Sequence, residues 1–275
     1  EIVMSGEEDT HKEVVAGFFG RVAANWDRVG PPFFKYFGRR LVEVAHIPCG
    51  GQVLDVAAGR GAVLFSAAEQ VGPQGHVVGI DLAEAMVQGT AAEINQRGVT
   101  NAEARQMDAE HLVFPNAAFD CVLCGFGLMF FPDLQGALTE FRRVLRPGGL
   151  VAVTTWGEET EPIKCFRELV RAYQSDVRLG LHPLRTPEAL KAALQQAGFT
   201  NIQVTGEEVD FVNADEEEWW AMMRSEGPGA SLERMPSDTL ERFKAEAFAM
   251  MQEFKDSDGL HYPRRVLYTT AVAPG

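Results

Sequence analysis

The sequence predicts an α/β fold, a doubly wound and mostly parallel sheet with helices on both faces. Three observations carry this reading. Short runs rich in Val, Leu and Ile alternate with amphipathic stretches of helical length, the pattern of repeated βαβ units. One run, Val53-Leu-Asp-Val-Ala-Ala-Gly-Arg-Gly61, passes into a glycine turn that opens a helix. The next, His76-Val-Val-Gly-Ile80, ends in a carboxylate, Asp81. A strand, a glycine turn, a helix and a second strand with an acidic end form a unit that holds an adenosine-containing cofactor.

The elements follow in order. Thr10-x-x-Glu13 is a capping box, and the helix behind it puts Val14, Val15, Phe18, Phe19 and Val22 on one face. Asn25-Trp-Asp27 and Pro31-Pro32 end it, and a second helix over 33–46 leads to Pro48. Strands are expected at 52–57, 76–81, 102–107, 119–124 and 149–156, with helices at 61–71, 83–97 and 133–146. Gly72 and Gly98 suit helix C-termini, where a left-handed residue closes the last turn. A helix over 161–177 follows, and Thr186-Pro-Glu188 starts another that stops at Gly198. Strands over 201–212 and 263–272 complete a sheet of seven. Between these two lies an insert with one helix headed by Asp215-x-x-Glu218 and a longer one over 238–254. The chain thus divides into N-terminal helices covering the site (1–47), an α/β core (48–212), a helical lid (213–258) and the last core strand (259–275).

Composition excludes several functions. The formal charge is −14, and residues 205–262 hold 15 acidic against 5 basic side chains. No basic stripe for nucleic acid is present. No apolar run approaches the roughly 20 residues of a membrane span. The acidic Glu7-Glu-Asp9 region lacks the apolar segment of a signal peptide, so a cytoplasmic protein is expected. Cys121-x-x-Cys124 lies within a strand, where residues three apart point to opposite faces, and no Cys/His cluster accompanies it. No metal is expected, and Glu216-Glu-Glu218 reads as a solvated first helical turn.

The cofactor follows from the turn. A dinucleotide fingerprint needs a third glycine where this chain has Leu64, so an NAD-linked oxidoreductase is disfavoured. The spacing from Asp55 to Gly59 and Gly61, D-x-x-x-G-x-G, suits a cofactor without phosphate. S-adenosylmethionine (SAM), with its sulfonium and ammonium, fits that acidic setting.

With Val78-Gly-Ile-Asp-Leu-Ala-Glu-Ala-Met86, Met107-Asp-Ala109, Phe119-Asp-Cys-Val-Leu-Cys124 and Val144-Leu-Arg-Pro-Gly-Gly-Leu150 in order behind that turn, the chain resembles the class I SAM-dependent methyltransferases. Within them it is similar to the ubiquinone/menaquinone C-methyltransferase group, over about residues 15–205. The resemblance implies a seven-stranded sheet closed by an antiparallel hairpin, here interrupted by the insert. It implies that Ala57, Gly59 and Gly61 line the methionine end and that Asp81 takes the ribose hydroxyls. Leu82 and Met86 would flank the adenine, Asp108 and Ala109 would meet its edge, and Cys124 would lie next to the reaction centre. Ala57 departs from the glycine usual in the family.

Methyl transfer chiefly needs positioning and dryness, with a base only where the nucleophile must lose a proton. The expected acceptor is small and largely apolar, offering a hydroxyl or an acidic carbon. Trp26, Phe33, Phe34, Met129, Phe130, Phe131 and Trp156, with Trp219 and Trp220 from the lid, are its expected pocket. His261 and His182 are the candidate bases, with Asp133 and Glu158 left open beside them. A SAM-binding protein of the same fold that no longer methylates is the alternative. Sequence leaves the oligomeric state open.

Overall fold

The computed structural model describes residues 4–174, 183–226 and 229–275. The sheet is built from β1 (Gln52–Val56), β2 (His76–Asp81), β3 (Ala102–Gln106), β4 (Phe119–Gly125), β5 (Leu145–Trp156), β6 (Thr200–Asn213) and β8 (Gly259–Val272). Their order is β3-β2-β1-β4-β5-β8-β6, and a two-residue strand, β7 (Lys255–Asp256), pairs with β8 off this path. β1 to β5 pair in parallel, whereas β8 runs antiparallel between β5 and β6. The order reverses between β1 and β4, and the crevice at such a switch point lies at the carboxyl ends of the strands.

Two apolar layers sandwich the sheet. One buries α2 (Phe33–Ala45) and α3 (Ala62–Val71) with Phe37, Leu41, Val63 and Leu64. The other buries α5 (Leu134–Val144) and α7 (Pro187–Gln196) with Leu138, Phe141, Leu190 and Leu194. Cys121 falls in the first layer and Cys124 in the second, as their spacing predicts. A smaller cluster docks α1 (Met4–Val22) on α4 (Glu84–Arg97) through Phe18, Val22 and Met86. Each such side chain, fully buried, contributes about 1.5–3 kcal/mol.

Several boundaries differ from expectation, among them the start of β5 at Leu145, four residues before the expected 149. α1 begins at Met4, so Thr10 lies within the helix and not at its cap. The last strand begins at Gly259, because residues 259–262 extend the ladder with β6 as far as Asn213. The insert forms α8 (Glu216–Ser225), a single turn α9 (Gly229–Leu232) and α10 (Ser237–Met251). Asp215 caps α8 by accepting from the Glu218 amide at 2.9 Å. The α10 face carrying Phe243, Ala247 and Met251 is buried in the first layer, and Phe243 meets Phe166 of α6 (Glu161–Tyr173) edge-on.

Candidate functional site

The glycine turn sets the floor of the site. Gly59 (φ 52°) and Gly61 (φ 80°) both take left-handed conformations that favour glycine. Ala57 takes one too (φ 55°), at a cost of order 1–2 kcal/mol for a side chain with a Cβ. Asp27 (φ 54°) and Phe126 (φ 59°) are likewise left-handed and lie around the same crevice. Three further non-glycine residues with left-handed backbone, His46, Ala117 and Asn201, lie off the cavity wall, so left-handed backbone alone does not mark the site.

A cavity of ≈ 200 Å³ opens over the turn. One end is walled by Ala57, Gly59, Asp81, Leu82, Met86, Asp108 and Ala109, residues that the sequence reading assigns to the cofactor and that the fold brings together. Asp81 accepts from the Gly59 amide at 2.8 Å on one oxygen and from the Ala83 amide at 2.9 Å on the other. Each oxygen keeps a lone pair, so the carboxylate can still receive two ribose hydroxyls. Burial raises the Asp81 pKa, partly countered by these amides. The turn, this carboxylate and the absence of a phosphate-ready third glycine fit SAM. Leu64, at that third position, is fully buried in the core.

Three neighbours stand differently from expectation. Gly61 is off the wall, and a Cβ there would lie 2.7 Å from the Phe65 ring, so its role is close packing under the turn. Cys124 is fully buried behind the wall, where desolvation first and Asp55 second hold its thiol neutral. Asp55 is also fully buried, and its carboxyl is pushed well above its usual range by burial and by Asp81.

The N-terminal helix closes the cavity beside Asp108. Lys12 reaches Asp108 at 2.8 Å and Glu110 at 2.5 Å, and Lys12, Val15 and Phe19 are on the cavity wall. Burial raises the Asp108 pKa, but Lys12, the Glu110 amide and His111 outweigh it and leave the carboxyl below its usual range. Asp108, Glu110 and His111 bring ligand atoms within 4.8 Å of one another, yet the Lys12 ammonium already lies on the two carboxylates. Arg60 ties the turn to α1 and α4 through the Ala23 carbonyl at 2.8 Å and the Gly89 carbonyl at 3.2 Å.

The other end is aromatic. Trp26 stacks on Phe34 with centroids 4.6 Å apart, and Phe126 stacks on Trp156 at 4.1 Å. Phe19 meets both Trp26 and Phe130 edge-on. Trp26, Phe34, Phe130, Phe131 and Trp156 line the cavity as expected. Phe33 is buried one layer behind, against Phe34 and Trp156. Met129 lines an adjoining chamber.

The insert contributes differently from expectation. Trp219 and Trp220 are buried off the cavity wall. Trp219 packs on Phe166 and Tyr262, and Trp220 on Phe243 and Phe248. The Trp219 ring fills the seam between insert and core, whereas Trp220 packs within the insert. What the insert sends to the cavity is Glu226, which accepts from the Arg264 guanidinium at 2.9 Å. Arg264 in turn lies over the rings of Phe33, Tyr262 and Trp156 at 4.4, 4.7 and 5.1 Å. Burial pushes the Glu226 pKa up to about 7 against the pull of Arg264. Its Oε1 has no hydrogen-bond partner among the described residues.

His261 is not on this cavity. It lies in a separate surface depression, held by Asp210 at 2.5 Å and Asp258 at 3.0 Å, which raise its pKa. Strand alternation explains this. Leu260, Tyr262 and Arg264 are buried on the inner face, so His261 takes the outer one. His182 lies outside the described residues. The same alternation applied to the sequence would have flagged Arg264 as an inward charge. Nothing local marks Lys12, Phe126 or Glu226.

A methyltransferase-domain family model matches residues 53–149, from the first strand to the end of the Pro-Gly-Gly turn. Nocamycin O-methyltransferase of Saccharothrix syringae is 37% identical over 70% of this chain and 75% of its own length. Aklanonic acid methyltransferase of a Streptomyces species is 40% identical over 54% of this chain and 68% of its own. Among solved structures, a [4+2]-cyclase, 20% identical, superposes with a TM-score of 0.62 over 98% of this chain and 95% of that one, a likeness of fold alone. With the glycine turn, the Asp81 carboxylate beyond it and the match to the methyltransferase domain, the chain belongs to the class I SAM-dependent methyltransferases.

Proposed function

We propose that this chain methylates a hydroxyl oxygen of a small, largely apolar, ring-bearing acceptor, with Glu226 as the group that takes the proton. The observation that carries this is a single cavity with the cofactor carboxylates at one end and stacked aromatics with a buried carboxylate at the other. When bound, SAM supplies a methyl group already activated by its sulfonium. The chain's own work is to position, dry and deprotonate the acceptor. Trp26, Phe34, Phe130 and Trp156 offer flat apolar faces that hold rings and exclude water. Glu226 Oε1 receives the hydroxyl proton, and Arg264 positions the carboxylate through its other oxygen. A pKa near 7 suits a base working near neutrality. Residues 213–258 act as a lid in this reading, docked on the core by the buried Trp219 and reaching the acceptor through Glu226.

The relatives support oxygen as the nucleophile, since one is named an O-methyltransferase. All four cysteines are free, which fits a reducing cytoplasm, and no described helix is long and apolar enough to cross a membrane. A strongly acidic chain suits a small-molecule partner better than nucleic acid. The test is release of S-adenosylhomocysteine from SAM across a panel of phenols, enols and hydroxy acids. SAM binding without release from any acceptor would turn the reading to a binding protein or to another reaction in the same pocket.

A further inference from the structure

A second chamber of ≈ 320 Å³ adjoins the cofactor cavity. Phe130, Trp156 and Arg264 line both spaces and stand between them. Beyond them the chamber wall carries Arg167 and Arg185 from α6 and the approach to α7. Their shared partner is one buried carboxylate, Glu159, which lies 2.8 Å from Arg167 and 3.7 Å from Arg185. Arg185 also donates to the Gly157 carbonyl at 3.1 Å, and among the described residues its buried Nε has no partner. Arg264 has Glu226 alone, and its Nε is likewise unpartnered among the described residues. Arg265 pairs outward with Glu208, and Glu158 is exposed at the rim.

The two open Nε atoms leave guanidinium donors free in the core of the chamber wall. Among the described residues Arg167 and Arg185 share the buried Glu159, Arg264 holds Glu226, and the further carboxylate on the wall, Glu158, is exposed. Desolvation and the neighbouring Arg167 depress the Arg185 pKa, with Glu159 countering in part. Arg185 is half-buried and shares its carboxylate with Arg167, so its hydrogen-bonding capacity is only partly used. An anion entering the chamber would take up the free guanidinium donors. The planar guanidinium fork matches a carboxylate in particular.

We propose that the chamber takes the anionic end of the acceptor, so that the acceptor is an aromatic hydroxy acid. Its ring body crosses between Phe130 and Trp156, its carboxylate rests on Arg185 and Arg264, and its hydroxyl projects into the cofactor cavity. This deepens the proposed function and rests on it for the hydroxyl end only.

The test compares 6-hydroxy-2-naphthoate with 2-naphthol as probes, binding to the protein loaded with S-adenosylhomocysteine, by calorimetry. The naphthoate should bind at least about tenfold tighter, and raised salt should shrink the ratio. Arg185→Met should erase the ratio while leaving affinity for 2-naphthol and for S-adenosylhomocysteine unchanged. Arg185→Lys, which keeps the charge but not the fork, should retain part of it. Should Arg185→Met fail to fold, the wild-type ratio and the lysine variant decide. Equal affinities in the wild type, no binding of the naphthoate, or a full ratio in Arg185→Met would overturn the chamber. A naphthoate preference with no methyl transfer to either probe would instead count against the proposed function and leave the chamber supported.

Discussion

At the cofactor end, Ala57, Gly59, Asp81, Leu82 and Met86 line the cavity from one βαβ unit. At the acceptor end, Trp26, Phe34, Phe130, Trp156, Glu226 and Arg264 come from both termini, the sheet and the insert. The first group is held by backbone geometry, with a turn of left-handed residues and two amides on Asp81. The second is held by ring stacking and one buried ion pair across long sequence separations. A site made by local backbone survives changes elsewhere in the chain. A site made by tertiary packing can change its ligand by changing any one contributor, which is how one fold serves many acceptors.

The largest expected effect would break the acceptor half alone. Glu226→Gln should lower transfer about 10²–10⁴-fold while S-adenosylhomocysteine still binds. In the wild type, Glu226 must be ionised to accept a proton, and its pKa is raised to about 7. Turnover should therefore climb as pH rises through about 7, and fall as protonation silences the base below it. A pH–rate profile flat from pH 6 to 8 would remove Glu226 from the proton path. Next, Trp219→Ala should cost about 3–5 kcal/mol of stability, read by denaturant unfolding, because the ring is fully buried in the insert–core seam. If it instead raised KM for the acceptor without loss of stability, the ring would belong to the pocket after all.

On the other half, Asp81→Ala should weaken SAM by about 1.5–3 kcal/mol, seen by calorimetry, with the acceptor probes unaffected. Asp108→Ala sharpens the contrast, since its carboxylate serves the N-terminal helix as well as the cavity wall. Beyond weaker SAM binding, loss of the Lys12 bond should cost about 1 kcal/mol and speed amide exchange in α1. Unchanged exchange would show that the helix docks through Phe18 and Val22 alone. The smallest effect is at Ala57. Its replacement by glycine relieves left-handed strain but adds unfolded-state entropy, so stability should shift by less than about 1 kcal/mol. A loss of several kcal/mol would mean that the Ala57 methyl packs where its backbone strain is tolerated.

The strand at His76–Asp81 and the turn at Gly59 and Gly61 were legible because period, glycine and terminal acid are all local signals. The outward face of His261 was not legible, because the strand was expected to begin only at 263 and chain path alone pointed the imidazole toward the site. Trp219 and Trp220 illustrate the limit, since a large ring at helical spacing looks the same whether it faces a ligand or another helix.

What the sequence by itself determined is the α/β order, the glycine turn and the carboxylate that ends the second strand, since each depends on residues that are neighbours along the chain. Only the tertiary structure decided that Lys12 closes on Asp108, that Phe126 stacks on Trp156, and that Glu226 meets Arg264 inside the cavity. The physical reason is that burial and pairing of a charge depend on what packs around it. That is set by the crossing of elements far apart in sequence, and a lone glutamate after a helix carries no trace of it.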